Sequence, residues 1–436
     1  MPRASQTPKQ KIDSYIKKFP DCFSNVKNHL FCEACGCRVS FDQRSQVIQH
    51  LNTTSHKSRI NEKLIQLKID SSNWAAELKS LLEKTGKHLP SETTCRREVK
   101  GLYEIQTDRI KNKCDSEVFL MIDESEIQSK SIVNIMIGSM DEPNKAYLGE
   151  TIVLGKPINS QEACCIIDDF IRKMDINRNN FLLLLTDAAS YFTSEECTRT
   201  LKNLYPKMTH VTCIAHLIHN CCLKIKKYFP KVDQMIGAIR MILAKNKKRV
   251  SLFSDIGLPP KTVVTRWGSW LETVEYYAKN YLEVKRIVQG IPSDGKLVQA
   301  AKESVIDPEI RDQIATIMEN YQIFIKILKD IQNRNATIRQ YFSVVRNLNL
   351  GEDPVKIKDY ISKRLNKNGI FEVINGPREV TPLQHARLLC AQPTTSEVER
   401  SFSFVKHLLK KERNFNEENI RFYSVTGFNN SVMTVD

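Results

Sequence analysis

SEVFLMIDES (residues 116–125), SIVNIMIGS (131–139), KAYLGETIVL (145–154), SQEACCIIDDFIRKM (160–174) and NFLLLLTD (180–187) follow one another along the chain. The first three are apolar and β-prone and are separated by short polar breaks, as strands joined by hairpins are. The fourth has the periodicity of a helix. The fifth is apolar throughout, which predicts a buried strand.

Three adjacent strands, a helix and a further buried strand make the order of an RNase H-like α/β fold. In that order Asp123 stands at the end of the first strand and Asp187 at the end of the fourth, so one sheet would bring the two carboxylates together. Such a cluster suits two-metal phosphodiester cleavage, because carboxylates hold paired magnesium ions that activate water and stabilise the leaving oxygen. Taken singly, each aspartate reads more simply as the cap of a turn or of the next helix.

Outside this segment the composition narrows the possibilities. A chain of 436 residues, 41% of them hydrophobic, is long enough for two to four folded domains. No run of eighteen apolar residues occurs, and residues 1–30 lack the apolar core of a secretory signal, so a reducing compartment is expected. Thirteen cysteines there read as metal ligands, small buried hydrophobes or free thiols rather than disulfides. A formal charge of +15 favours a polyanionic partner, with nucleic acid ahead of anionic membrane. The excess is concentrated: residues 1–68 carry 12 Lys or Arg against 5 acids, and residues 221–250 carry 9 against 1. Both are candidate DNA-facing surfaces, although solvated helix faces would look the same. A membrane-surface role lacks the basic amphipathic helix with aromatic anchors that it needs.

Near the amino end, Cys32-Glu-Ala-Cys35 is followed after fourteen residues by His50 and after five more by His56. Two thiolates on a tight knuckle and two imidazoles on a helix make a tetrahedral zinc site. Leu30, Phe31, Val39 and Phe41 alternate as a hairpin would, and Val47, Ile48 and Leu51 give the His50 helix an apolar face, so a ββα finger over residues 1–60 is expected. Cys37 is too close to Cys35 for a knuckle. Residues 61–112 read as a helical linker, 113–270 as the first part of the core, 271–380 as an all-α insertion and 381–436 as the return to the core. The insertion shows helical periodicity in LETVEYYAKNYLEVKRIV (271–288), IRDQIATIMENYQIFIKIL (310–328) and NATIRQYFSVVRNL (335–348).

Several blocks resemble those of hAT-type DNA transposases, in that family's order. VFLMIDESEIQSKSIVNIMIGSM (118–140) resembles the first-aspartate block and FLLLLTDAASYF (181–192) the second. HVTCIAHLIHNCC (210–222) is similar to the Cys-x-x-His block, through Cys213 and His216, and VVTRWGSW (263–270) to the Arg-Trp block, through Arg266 and Trp267. PLQHARLLCAQPTTSEVERSFSFVKHLLKKERNFNEENI (382–420) resembles the carboxy-terminal dimerisation segment. LFCEACGCRVSFDQRSQVIQHLNTTSHKSR (30–59) resembles the CGG-repeat-binding type of finger, a relative of transposase BED fingers, which implies that Arg44, Gln46, Gln49, Asn52 and Lys57 can reach bases or phosphates.

The transposase resemblance implies Asp123, Asp187 and Glu399 as ligands of magnesium or manganese, with Cys213 and His216 in the core near the active site. It implies a nuclear homodimer or larger homo-oligomer acting on double-stranded transposon ends and target DNA, by hydrolysis, flanking hairpins and strand transfer. Trp267 would stack on a flipped base, although a Trp opening a helical run is also a core residue, with Trp270 packing beside it. The local pattern leaves a second role for the glutamates: Ser396 with Glu399, or Thr394 with Glu397, would make a capping box, and Glu397 is the other candidate third carboxylate. A second zinc among His210, Cys213, His216 and His219 is disfavoured because His210 falls in a strand. The 131 residues between Trp267 and Glu399 are fewer than the family has, and the tail is brief. These departures keep open a transposase-derived DNA-binding regulator without catalysis.

Overall fold

A computed structural model of the chain describes residues 8–19, 23–26, 29–32, 35, 37–41, 43–53, 92–261, 268–292, 295–377, 379–409 and 415–433. The chain divides into two compact units, residues 1–99 with 430–436, and residues 100–429.

In the smaller unit, α1 (Pro8–Lys18) precedes an antiparallel sheet of β1 (Phe23–Val26), β2 (His29–Cys32) and β3 (Cys37–Arg38), followed by α2 (Arg44–Asn52). Two of these elements, α1 and β1, lie outside the expected ββα pattern. They are there because the hairpin and α2 bury too little alone: Ile12 of α1 and Phe23 of β1 join Leu30, Cys32, Val39 and Val47 in one buried cluster.

The larger unit is built on a five-stranded mixed sheet with helices around it. Its strands are β4 (Val118–Ile127), β5 (Lys130–Ser139), β6 (Tyr147–Leu154), β7 (Phe181–Thr186) and β8 (Thr209–Thr212), in the spatial order β6-β5-β4-β7-β8. The first three are antiparallel neighbours, while β7 and β8 run parallel to β4. A parallel partner needs a crossover, which α4 (Ser160–Lys173) supplies between β6 and β7. Asn159 and Glu162 start α4 with a complete capping box, and its apolar stripe, Ala163, Ile167, Phe170 and Ile171, is buried. All six residues of β7 are buried, which is why its sequence does not alternate.

Past β7 come α5 (Ser190–Thr193), α6 (Glu195–Leu204), then β8, α7 (Ile214–Tyr228), α8 (Pro230–Lys245) and α9 (Lys247–Val250). The described residues of the region expected to be an all-α insertion form α10 (Ser269–Gln289), α11 (Lys296–Ser304), α12 (Pro308–Tyr321), α13 (Ile323–Ile331), α14 (Ile338–Arg346), α15 (Ile357–Leu365) and α16 (Ile370–Asn375), and α17 (Pro382–Cys390) opens the segment after it. α18 (Ser396–Leu408) then packs against β4 and β5, and α19 (Glu417–Met433) follows. From Lys100 onward α3 (Glu92–Lys113) belongs to this unit, where Tyr103 meets the Phe422 ring of α19 at 4.9 Å. Among the described residues no helix is long and apolar enough to cross a membrane.

Candidate metal centres

Strand register places the first carboxylates. β4 pairs in parallel with β7 up to Ile122 and Thr186, and β7 with β8 up to Thr186 and Thr212. The next residues are therefore Asp123, Asp187 and Cys213, a row where the parallel pairing of the three strands stops, about 4.8 Å apart per strand. Asp123 does not end its strand as expected but lies midway along β4, which runs on to Ile127 because β5 still pairs with it. The Cys213 amide closes the row by donating to the Thr186 carbonyl at 2.8 Å. Carboxyl ends of parallel strands are where open sheets leave room for a ligand.

α7 begins directly after Cys213 and puts His216 in its first turn. α18 brings Glu399 from the far end of the chain, held over the sheet where Asn134, the β5 partner of Asp123, donates to Ser401 Oγ at 2.7 Å. One donor atom each from Asp123, His216 and Glu399 lie within 4.8 Å of one another, with His216 Nε2 3.6 Å from Glu399 Oε1. Asp187 stands beside this trio, close enough for its charge to act on both acids, and one of its oxygens accepts from the Ala189 amide at 3.0 Å. The turn-capping role and the place in the row thus belong to the same aspartate.

α18 also separates the two glutamates. Neither capping box forms, since the N-cap is Thr395 and no side chain caps the helix. Glu397, with a side chain only 3% exposed, is gripped by Arg334 at 2.8 Å and by Arg400. Glu399 is 38% exposed and faces Asp123 and His216.

The grouped acids and the imidazole act on one another's charge. Burial pushes Asp123 well above the ordinary aspartate range; the His216 charge opposes the shift, and the Glu399 and Asp187 carboxylates reinforce it. Burial raises Glu399 as well, against His216 and a hydrogen bond with Asp123. Two carboxyls sharing a hydrogen bond in such a place hold a proton between them, unless a cation takes its place. Asp187 is raised by burial, against the Ala189 amide and His216. For His216 burial disfavours charge, but the Cys213 thiolate, their hydrogen bond and the two acids outweigh it and lift the imidazole to about 10. Burial likewise works against the Cys213 thiolate, and His216 together with the Thr395 backbone, whose amide lies 3.4 Å from Sγ, brings the thiol below its usual value.

Two further side chains carry weaker sequence signals. Glu124 accepts from the Tyr191 hydroxyl at 2.8 Å and from Ser131, and its charge bears on Asp187. Alternation along β4 points Glu124 away from Asp123, and only the turn after Asp187 brings Tyr191 to it. His210 lies in β8, 2.8 Å from Thr186 Oγ1, so it does not join His216 and His219 on α7. Arg266 and Trp267 lie outside the described residues. Trp270 is a core residue, its Nε1 donating to Asp233 at 3.0 Å.

In the smaller unit, donor atoms of Cys32, Cys35 and His50 lie within 4.8 Å of one another. The Cys35 amide sits 3.4 Å from Cys32 Sγ, the N–H to sulfur contact that a tight knuckle makes. Cys37 is exposed on β3. Arg44 opens α2, whereas His56 and Lys57 lie outside the described residues. No family model matches the chain, and no curated protein matches it either.

Proposed function

We propose that the chain is a DNA transposase of the hAT type, with an RNase H-like core and a DNA-binding zinc finger. The observation that carries this reading is the convergence of Asp123, Asp187 and Glu399, from two adjacent parallel strands and a distant helix, beside the His216 imidazole. The donor set fits a hard divalent cation: carboxylate oxygens, partly buried, whose mutual repulsion a cation relieves. Asp123, Asp187 and Glu399 would hold magnesium or manganese, and the chemistry such ions supply is activation of water and neutralisation of the leaving oxygen. Asp123, held from the strand, fixes the inner wall of the site, while the partly exposed Glu399 and Asp187 face the substrate side. His216, whose Nε2 lies 3.6 Å from Glu399 Oε1, keeps Glu399 turned toward Asp123.

In the finger Cys32, Cys35, His50 and His56 would hold zinc, whose soft and borderline donors they match. Arg44 and Lys57 would contact DNA, and Arg266 with Trp267 would hold a base displaced from the cleaved flank. The expected assembly is a nuclear homodimer or larger oligomer on transposon ends and target DNA.

The test is strand cleavage and joining on matching element ends with magnesium or manganese, run on the wild type and on Asp187→Asn. Metal-dependent nicks with flanking hairpins, reduced at least a hundredfold in the variant, are expected. Binding without cleavage by either protein would replace the enzyme with a transposase-derived DNA-binding regulator.

A further inference from the structure

Residues 354–368 carry five Lys or Arg and one acid, Asp359. Folding sets them beside the basic end of α7: Lys224 Nζ lies 5.0 Å from the centre of the Tyr360 ring, and the Arg364 guanidinium lies 5.5 Å from the same ring. Two cations thus converge on one aromatic side chain. Lys224, Lys356, Lys358, Lys363, Arg364 and Lys367 are all exposed, and among the described residues none of them enters an ion pair. In the basic stretch around α7 and α8, Lys226 is paired with Asp233 and Lys231 with Asp307 and Glu309. On the α7/α15 face six exposed cations gather, among the described residues, without an ion-pair partner.

Its place on the fold suggests what answers that charge. Lys224 stands eight residues after His216 on α7, about 12 Å further along the axis and about 80° round the helix from it. At 3.4 Å of rise per base pair this is about three to four base pairs of duplex. We propose that the α7/α15 face carries the phosphate backbone of the duplex beside the cleavage point, with phosphates bridging neighbouring cations such as Lys224 and Arg364. The inference rests on the DNA-cleaving reading above and adds the surface along which the substrate lies.

The test is fluorescence anisotropy of a labelled duplex with the full chain over a series of potassium chloride concentrations. The subjects are the wild type, the triple variant Lys224→Gln, Lys363→Gln, Arg364→Gln, and a charge-keeping pair, Lys363→Arg with Arg364→Lys. Each phosphate contact contributes about 0.9 to the slope of log affinity against log salt, so the triple variant should be shallower by about 2.7. The charge-keeping pair should retain the wild-type slope, which separates charge from folding. An unchanged slope in the triple variant, with normal wild-type binding, would overturn this surface and leave the cleavage reading standing. No duplex binding by the wild type at any salt would overturn both. Charge-dependent capture of polyglutamate, with no change in DNA slope, would give the face to an acidic polypeptide instead.

Discussion

Glu397 and Glu399 stand two residues apart on one helix and have opposite environments. Glu397 is closed in and held by two arginines, so neutralising it leaves Arg334 and Arg400 without their counter-charge. Breaking a fully buried pair costs about 3–5 kcal/mol, and the partial exposure of both arginines brings the expected loss for Glu397→Gln to about 1–3 kcal/mol. Burial opposes the ionisation of Glu399, with the Asp187 charge adding to it, so Glu399→Gln should leave urea stability unchanged or slightly higher while removing manganese-dependent cleavage. The opposite pattern, with cleavage surviving Glu399→Gln and lost in Glu397→Gln at unchanged stability, would transfer the ligand role to Glu397. The two aspartates are legible from sequence because the apolar runs that lead into them are local signals; that β4 continues past Asp123 to Ile127 is not, because its polar second half is a strand only through its pairing with β5. The choice between the glutamates is not, because Arg334, which decides it, lies 63 residues upstream and reaches Glu397 only through the folded insertion.

At the scale of elements, periodicity carries well where each element stands alone. The run 310–328 reads as one helix but is two, α12 and α13, joined at Gln322, and α10 bends at Asn280, whose backbone leaves the helical region. α1 goes unforeseen although Ile12, Tyr15, Ile16 and Phe19 recur at helical spacing; its partner surface, the sheet of β1, β2 and β3, is what gives that stripe a purpose. β8 shows how an element built from few residues is held by burial. Burial alone holds the His210 imidazole near 4, below the ordinary 6.5, so its neutral form belongs to the fold. A depressed pKa contributes stability that is present above pH 6.5 and lost as pH falls through 4. His210 is not wholly closed to solvent, so the loss should be about 1–3 kcal/mol, less than the full shift implies. Urea unfolding at pH 7 and pH 4 should show wild type losing that much more than His210→Asn; equal losses would mean that the β7–β8 packing tolerates the charged ring.

For the whole molecule, the proposed function has the two units using different metals for different reasons. Among the described residues of the smaller, six side chains form the buried cluster, so zinc at Cys32, Cys35 and His50 would supply much of its folding free energy. The larger has a complete sheet core, and a cation at its carboxylates would add only linkage. At a hundred times its Kd a cation that binds only the folded state contributes about 2.7 kcal/mol, which for a unit of about 330 residues raises Tm by about 4 °C. Hydrogen exchange followed through a thermal ramp can read the two units separately. A thiol-competing zinc chelator should release protection across β1–β3 and α2 while leaving β4 and β7 unchanged. Manganese should raise only the transition of the larger unit, and Asp123→Asn should abolish that shift because it removes the innermost ligand. Aspartate 123 is also the acid most strongly penalised for its charge, so the variant without cation should melt no lower than wild type. A variant that melts lower yet still gains from manganese would mean that Asp123 serves the fold and that the cation binds elsewhere.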